Sequence, residues 1–444
     1  MGLIQSVLEK NPLHGIVSYM KKIKTVTLGC KVNQYESRYL LEGLYQQGYV
    51  DAAADETPDV IVINTCTVTA DSDAKSRHII RKLHRDYPAA RQIIMGCWAS
   101  RNPEIAAQLA QEAGNDSAVL LDKSRLGEWL LSQGCPRLPV GIGRFSEHTR
   151  AFVKVQDGCR QFCSYCIIPH VRNRLSSRAP EEVKTEIERL IQNGYKEIVL
   201  TGIHLGFYGE GFENSQLKNL TLADLAACLT AIDADFRFRI SSLESHEVSD
   251  ALLTLMRDNP EKICPHLHIS MQSGSDRILK AMNRPSTSQQ YLERCRRAKE
   301  FVPDIALTTD VIVGFPGETD DDFSQTLAVC REAGFSKIHI FRYSQREGTP
   351  AAEMENQIPA HIKRARAVEL AKLEADLRRA YFKNQAGKSA RVLVEEFSNG
   401  RVTGATERYI PVKMPGSELN VGQFLTVTLS DENVFFPDIS SELL

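Results

Sequence analysis

Three cysteines in Cys159-Arg-Gln-Phe-Cys163-Ser-Tyr-Cys166 stand in C-x3-C-x2-C spacing. Tetrahedral zinc sites and most iron–sulfur clusters are closed by four protein ligands. Three thiolates on a cubane cluster would leave one iron open to a further ligand. The apolar run Ala151-Phe-Val-Lys-Val155 precedes this hook. The hook is therefore expected in a loop at a strand's end, the edge where open α/β architectures keep their chemistry. The other readings are a zinc site or three unrelated buried thiols.

A second set is scattered along the chain. Leu28-Gly-Cys30, Asn64-Thr-Cys66 and Met95-Gly-Cys97 follow the apolar runs Thr25-Val-Thr-Leu28, Val60-Ile-Val-Ile63 and Gln92-Ile-Ile-Met95. Each run reads as a buried parallel strand. Parallel strands of one sheet present their carboxyl ends at one edge, which would bring the three thiols together. A single strand-end cysteine is most often packing, whereas three at equivalent positions predict a second cluster site. Gly29 and Gly96 let the backbone turn tightly beside a bulky ligand.

These residues need elements to hold them. Helical patterns near 34–47, 74–86 and 103–112 separate the first strands, and Ser117–Leu121 supplies a fourth, so the fold class expected here is α/β with a small doubly wound parallel sheet. Residues 145–350 carry six strand patterns, Phe152–Val155, Glu197–Leu200, Phe236–Ile240, Leu267–Met271, Leu307–Val313 and Ile338–Tyr343, with helices near 180–193, 221–232, 248–258, 287–301 and 319–332. That is too few for a closed eight-stranded barrel and predicts a partial (βα)6 barrel with the hook in its first βα loop. A charged helix over 360–383 follows. Period-two patterning in 389–430, with turns at Asn399-Gly400 and Pro415-Gly416, then predicts a small β-barrel. The expected organisation is a dispensable extension at 1–19, an N-terminal domain at 20–130, the barrel at 145–375 and the terminal β-barrel at 385–444.

Composition narrows the class. The chain has 444 residues, 42% hydrophobic and 25% charged, as in globular proteins that fold in water. No apolar run is long enough to span a membrane. Eleven cysteines, an odd number in a long chain, argue against a disulfide framework and fit a reducing cytoplasm. With a net charge of −2, nucleic-acid contact must come from local patches.

The hook, with Gly158 and Tyr165, is similar to that of the radical S-adenosylmethionine (SAM) enzymes. Thr27-Leu-Gly-Cys-Lys-Val-Asn-Gln-Tyr-Glu-Ser37, Asn64-Thr-Cys-Thr-Val68 and Gly96-Cys97 resemble the signatures of the methylthiotransferases. The resemblance covers roughly 21–444 and implies a radical SAM barrel followed by a TRAM-like barrel. It implies an auxiliary [4Fe–4S] cluster on Cys30, Cys66 and Cys97, and a SAM-cleaving [4Fe–4S] cluster on Cys159, Cys163 and Cys166. SAM would lie near Tyr165, Gly202, Ser241, Glu244 and Gly314, where glycines permit close approach to adenine and ribose. The implied chemistry cleaves one SAM to methionine and a 5′-deoxyadenosyl radical, methylates a cluster-held sulfide with another, and inserts the methylthio group at an unactivated C–H. An electron donor of flavodoxin or ferredoxin type is implied, with a monomer as the default.

Family members modify an adenosine beside the tRNA anticodon or an aspartate of a ribosomal protein. Gly29-Cys-Lys-Val-Asn-Gln-Tyr-Glu-Ser37 resembles the branch acting on N6-threonylcarbamoyladenosine in tRNA rather than the isopentenyladenosine or ribosomal-protein branches. Nine Lys/Arg against three Asp/Glu between His361 and Arg391, and the basic helix Ala74–Arg85, suit phosphate binding. From Gln385 to Leu444 five basic and eight acidic residues suit it less, leaving Arg391, Arg401, Arg408 and Lys413 as candidate local contacts. Asn173 stands where the family usually has glycine, and Ser286 lies where it generally has a nearby tyrosine. Cys135, Cys228, Cys264, Cys295 and Cys330 lack ligand spacing and are expected as buried small side chains. His204, His266 and His268 are expected in packing or polar networks rather than as ligands.

Overall fold

The structure, a computed structural model, describes residues 20–145, 149–212 and 217–436. The extension expected at 1–19 lies outside the described residues.

The N-terminal part runs β1 (Lys22–Thr27), α1 (Lys31–Tyr45), β2 (Val50–Asp51), β3 (Val60–Thr65), α2 (Ala70–Asp86), β4 (Arg91–Gly96), α3 (Cys97–Arg101), α4 (Pro103–Ala113), β5 (Ala118–Leu120) and α5 (Leu126–Ser132). Its strands form one parallel sheet in the order β2-β1-β3-β4-β5. Every residue of β3 is buried, as a run apolar on both faces requires. Leu40 and Leu44 of α1 with Leu130 of α5 cover one face, and Ile80 and Leu83 of α2 with Leu109 of α4 cover the other. The sheet is thus doubly wound. Thr69 caps α2 by accepting from the Ser72 N–H, with Asp71 and Asp73 in the first turn and His84 and Arg85 in the last, all favourable to the helix dipole. Strand order reverses between β1 and β3, the switch point at which such sheets open a crevice. Thr27 pairs with Asn64 and Thr65 with Gly96, so the ends of β1, β3 and β4 are level.

The central part runs β6 (Arg150–Lys154), β7 (Gln156–Asp157), α6 (Ile168–Val171), β8 (Ser176–Ser177), α7 (Pro180–Gln192), β9 (Glu197–Thr201), α8 (Leu222–Thr230), β10 (Arg237–Ile240), α9 (Asp250–Asp258), β11 (His266–His268), α10 (Asp276–Ala281), α11 (Ser288–Phe301), β12 (Ala306–Val313), α12 (Asp320–Ala333), β13 (Lys337–Arg342) and α13 (Pro350–Glu353). Two parallel three-stranded sheets, β10-β9-β6 and β11-β12-β13, are joined by parallel bridges from Phe238 to Ile263 and from Leu243 to Ile269. The six form an open barrel wall, as expected. Reciprocal capping boxes at Thr221, Thr287 and Thr319 start α8, α11 and α12. The two-residue ribbon β7–β8 brackets the hook. Segments that short carry no periodicity, and the sequence pattern did not show them.

The last part begins with α14 (Ala360–Lys383) and continues as β14 (Ser389–Ser398), β15 (Arg401–Thr406), β16 (Pro411–Pro415) and β17 (Phe424–Thr428). The expected boundary at 375 falls inside α14. Ala367 and Leu370 of this helix join the barrel core and Phe382 joins the terminal core, so one helix ties both. The antiparallel sheet, in the order β16-β15-β14-β17, is bulged between Val394 and Glu396 and curls into a half-barrel. It docks through buried arginines: Arg237 donates to the Arg391 carbonyl at 2.5 Å and Arg239 to the Thr406 and Glu407 carbonyls at 2.6 Å each. Glu197, fully buried, holds Arg150, Arg237 and Arg239 at 2.5, 2.6 and 2.7 Å. Burial opposes its charge, but these arginines bring its carboxyl well below the usual carboxylate range.

Candidate active site

Level strand ends deliver the first three cysteines to one edge. Cys30 precedes α1 as its N-cap residue, Cys66 follows β3, and Cys97 opens α3 directly after β4. Asn33 ties the first two loops by donating to the Leu28 carbonyl at 2.8 Å and the Thr65 carbonyl at 3.1 Å. Ser76 holds Cys66 from beneath, donating to its carbonyl at 3.0 Å and accepting from its N–H at 3.3 Å. Gly29 and Gly96 both have φ of +103°; a Cβ on Gly29 would sit 3.0 Å from the Cys66 Sγ, and one on Gly96 2.3 Å from the Thr65 carbonyl oxygen. Only glycine lets these strand ends close up.

The hook leaves β7 through Gly158, at φ +85°, where a Cβ would lie 2.2 Å from the Arg174 carbonyl oxygen. Phe162 adopts a left-handed φ of 49° between the first two thiols, and the Cys166 N–H closes the turn on the Cys163 carbonyl at 3.0 Å. Cys159 Sγ lies 3.5 Å from His204 Nδ1, while His204 Nε2 meets Glu247 and the ring stacks on Phe207 at 4.0 Å. Cys163 Sγ accepts from Arg284 at 3.6 Å, and Arg284 also pairs with Glu244 and donates to the Ser270 carbonyl at 3.0 Å.

Arg172 joins the two sets. Its carbonyl accepts from the Cys159 N–H at 3.0 Å, and its Nε donates to Cys97 Sγ at 3.2 Å. The guanidinium forks onto Glu36 with two 2.8 Å bonds and reaches Asp157 at 2.9 Å and Asn33 at 2.9 Å. Burial opposes the charge on Glu36, but Arg172 and then Lys154 bring its carboxyl below the usual range. Lys123 adds a second cation 3.5 Å from Cys97 Sγ.

These donor sets fit thiolate ligation. Arg284 donates to Cys163 and opposes the burial that holds its thiol above the ordinary value, and Arg172 and Lys123 donate to Cys97. Burial pushes the Cys166 thiol up to about 12, so that group would ligate only as an incoming metal displaces its proton to solvent. Among the described residues no three His, Cys, Asp or Glu side chains are drawn in tightly enough for a single ion.

The expected SAM contacts fare differently from one another. Tyr165 packs against the small apolar cluster that includes Met282 and Phe315, Glu244 is committed to Arg284, and the buried Ser241 Oγ has no hydrogen-bond partner. The space a Cβ would need at Gly202 is taken by Gln156 (2.9 Å) and Leu205, and at Gly314 by Lys363 at 2.4 Å. Packing within the chain therefore accounts for both glycines.

His204 and His266 sit in polar networks, as expected, although His204 proves to be a neighbour of the hook. Cys228 is half-buried, whereas Cys135, Cys264, Cys295 and Cys330 are buried. Of the candidate RNA contacts, Arg391 is spent on Asp235 and the Phe424 ring and Arg408 on Glu407 and the Asp304 carbonyl; Arg401 and Lys413 remain exposed on adjacent strands. Sequence reasoning missed the roles of Arg172, Glu36, Asp157 and Arg284. Buried charges inside motif-bearing loops are the signal that could have found them.

Residues 153–330 match the Radical SAM superfamily and residues 22–120 match Uncharacterized protein family UPF0004. The chain is 37% identical to Threonylcarbamoyladenosine tRNA methylthiotransferase MtaB of Bacillus subtilis, over 91% of this chain and 92% of that one. It is 36% identical to the protein of the same name in Thermotoga maritima, over 94% and 96%. With tRNA-2-methylthio-N(6)-dimethylallyladenosine synthase of Desulfitobacterium hafniense it shares 34% identity, over 94% and 97%. Among solved structures, the radical S-adenosylmethionine methyltransferase TsrM from Kitasatospora setae superposes with a TM-score of 0.52 at 14% identity, covering 75% of this chain and 77% of that one, a likeness of fold.

Proposed function

The chain belongs to the radical SAM methylthiotransferase family, and on that footing we propose that it converts N6-threonylcarbamoyladenosine at position 37 of tRNA to its 2-methylthio derivative. The observation that carries the reading is Arg172, one buried residue that meets Cys97 with its guanidinium and Cys159 with its main-chain carbonyl. The substrate is supported by the names of the Bacillus and Thermotoga relatives and by the Gly29–Ser37 signature.

In this reading Cys159, Cys163 and Cys166 hold one [4Fe–4S] cluster with SAM beside Tyr165, Gly202, Ser241, Glu244 and Gly314, and Cys30, Cys66 and Cys97 hold another. When bound, these groups supply the electron that cleaves SAM to a 5′-deoxyadenosyl radical and the sulfur that is methylated and inserted. The protein's part is placement and exclusion of water. The sheet register fixes Cys30, Cys66 and Cys97, Arg284 orients Cys163 against Glu244, and Arg172 sets one site against the other. The work is divided among three units, 20–130, 145–375 and 385–444, the last two tied by α14, and an external one-electron donor of flavodoxin or ferredoxin type is required. All eleven cysteines are free thiols, which supports a reducing, cytoplasmic setting. Among the described residues no helix is long and apolar enough to cross a membrane.

The test is the anaerobically reconstituted enzyme with reductant, SAM and tRNA carrying N6-threonylcarbamoyladenosine, read by mass spectrometry of the nucleosides. The 2-methylthio product is expected. Its absence, with modification of isopentenyladenosine tRNA or of a ribosomal-protein aspartate instead, overturns the proposal.

A further inference from the structure

A cavity of about 620 Å³ lies in the barrel lumen. Its wall runs from Lys31, the residue after Cys30, past Ser241 at the end of β10, to His266, His268, Thr308 and Asp310 on β11 and β12. The terminal half-barrel closes it with Tyr409. We propose that this cavity is the subsite for the N6 substituent of the substrate base, with Lys31 pairing the threonyl carboxylate and the His266–His268–Thr308 wall taking its hydroxyl and ureido groups. The inference rests on the substrate proposed above and deepens it.

Unanswered polarity carries the argument. Thr308 Oγ1 meets His266 Nε2 at 3.1 Å and His268 Nδ1 at 3.0 Å, and His268 Nε2 lies 3.3 Å from Asp310. Beyond that network, His266 Nδ1 and Ser241 Oγ are buried with no partner in the protein. His266 is held well below the usual histidine range, by burial first and then by the Arg239 charge, so it stands neutral with a ring nitrogen to offer.

The charges on the wall do not balance either. Lys337 and Arg378 are answered by Glu374, at 3.2 and 3.7 Å, and Arg408 by Glu407. Lys31, exposed at the edge of the cavity and within electrostatic reach of Asp310, has no hydrogen bond or ion pair among the described residues. An apolar prenyl group placed here would bury these atoms unpaired, which is how a polar site rejects a ligand lacking the matching groups. A threonylcarbamoyl group brings a carboxylate to match Lys31, and a hydroxyl and ureido N–H donors to match the His266–His268–Thr308 wall.

The experiment uses the reconstituted holoenzyme and anticodon stem-loops bearing N6-threonylcarbamoyladenosine or its neutral carboxamide counterpart, with affinity from fluorescence titration and KM from product formation. Wild type is expected to prefer the acid by about tenfold to a hundredfold, the range of a hydrogen bond to a charged group. Lys31→Met, with iron content and visible spectrum matching wild type, is expected to bind acid and amide alike. Thr308→Val, whose hydroxyl bonds only His266 and His268 among the described residues, is expected to weaken both stem-loops severalfold. Indifference of wild type to the amide, an acid preference that survives Lys31→Met, or unchanged binding in Thr308→Val would overturn the subsite even though the methylthio product still forms. Modification of an isopentenyladenosine stem-loop in place of the threonylcarbamoyl one would overturn the substrate and the subsite with it.

Discussion

The two cysteine sets are built by opposite means. Cys159, Cys163 and Cys166 are neighbours in the chain, and a local turn through Gly158 and Phe162 shapes their loop. Cys30, Cys66 and Cys97 come from separate strands and meet only because β1, β3 and β4 are in register. Their electrostatics differ as well: Cys97 faces two cations, while Cys159 faces an imidazole and Cys163 one guanidinium. A loop-built site needs its own spacing and a few anchors, whereas a sheet-built site needs the whole sheet.

Removing each set should separate them most sharply. Alanine at Cys30, Cys66 and Cys97 is expected to leave about half the wild-type iron, to abolish methylthiolation and to spare SAM cleavage. Alanine at Cys159, Cys163 and Cys166 is expected to abolish both reactions. Iron analysis and 5′-deoxyadenosine assay check the pair; loss of SAM cleavage in the first variant would erase the division of labour.

Arg172 is where the contrast should fail, because it serves both sets. Arg172→Met leaves the buried Glu36 without its main cation and Lys154 alone to answer both Glu36 and Asp157, at a cost of about 3–5 kcal/mol. Thermal unfolding should show the loss, and methylthiolation should fall further than SAM cleavage. Arg172→Lys keeps the charge without the fork and should land between.

Glu197 tests whether stability at the opposite end of the barrel is independent of the sulfurs. Its folded-state carboxyl lies below the unfolded value, so its contribution is present above the unfolded value of about 4.3 and is lost as pH falls through the folded one. Glu197→Gln should cost about 3 kcal/mol near neutral pH and flatten the acid limb of stability measured by denaturant titration. Iron content should hold.

The smallest effect compares matched glycines. Gly96→Ala and Gly158→Ala each force a left-handed φ and a clash with a carbonyl, worth about 1–3 kcal/mol of strain. Each should lower cluster occupancy at its own set, read by iron content and by whether SAM cleavage survives.

Much of this was legible in the chain. The hook is contiguous, so its spacing states the chemistry directly. The strand-end cysteines were legible because Val60–Ile63 and Gln92–Met95 are apolar on both faces, which forces buried parallel strands and fixes where they end. β7, β8 and β16 were not, since two-residue strands have no period and the prolines bounding β16 read as turns. The roles expected of Gly202 and Gly314 were set by neighbours distant in sequence, Gln156 and Lys363.

By itself, then, the sequence determined which thiols matter and on which kinds of element they sit, because residue type, spacing and hydrophobic period are local properties. Only the tertiary structure decided what surrounds them. The junction at Arg172, the anchors His204 and Arg284, and the polar lumen beside Lys31 arise from long-range contacts. Burial then fixes which charges must be paired and which are left for a ligand.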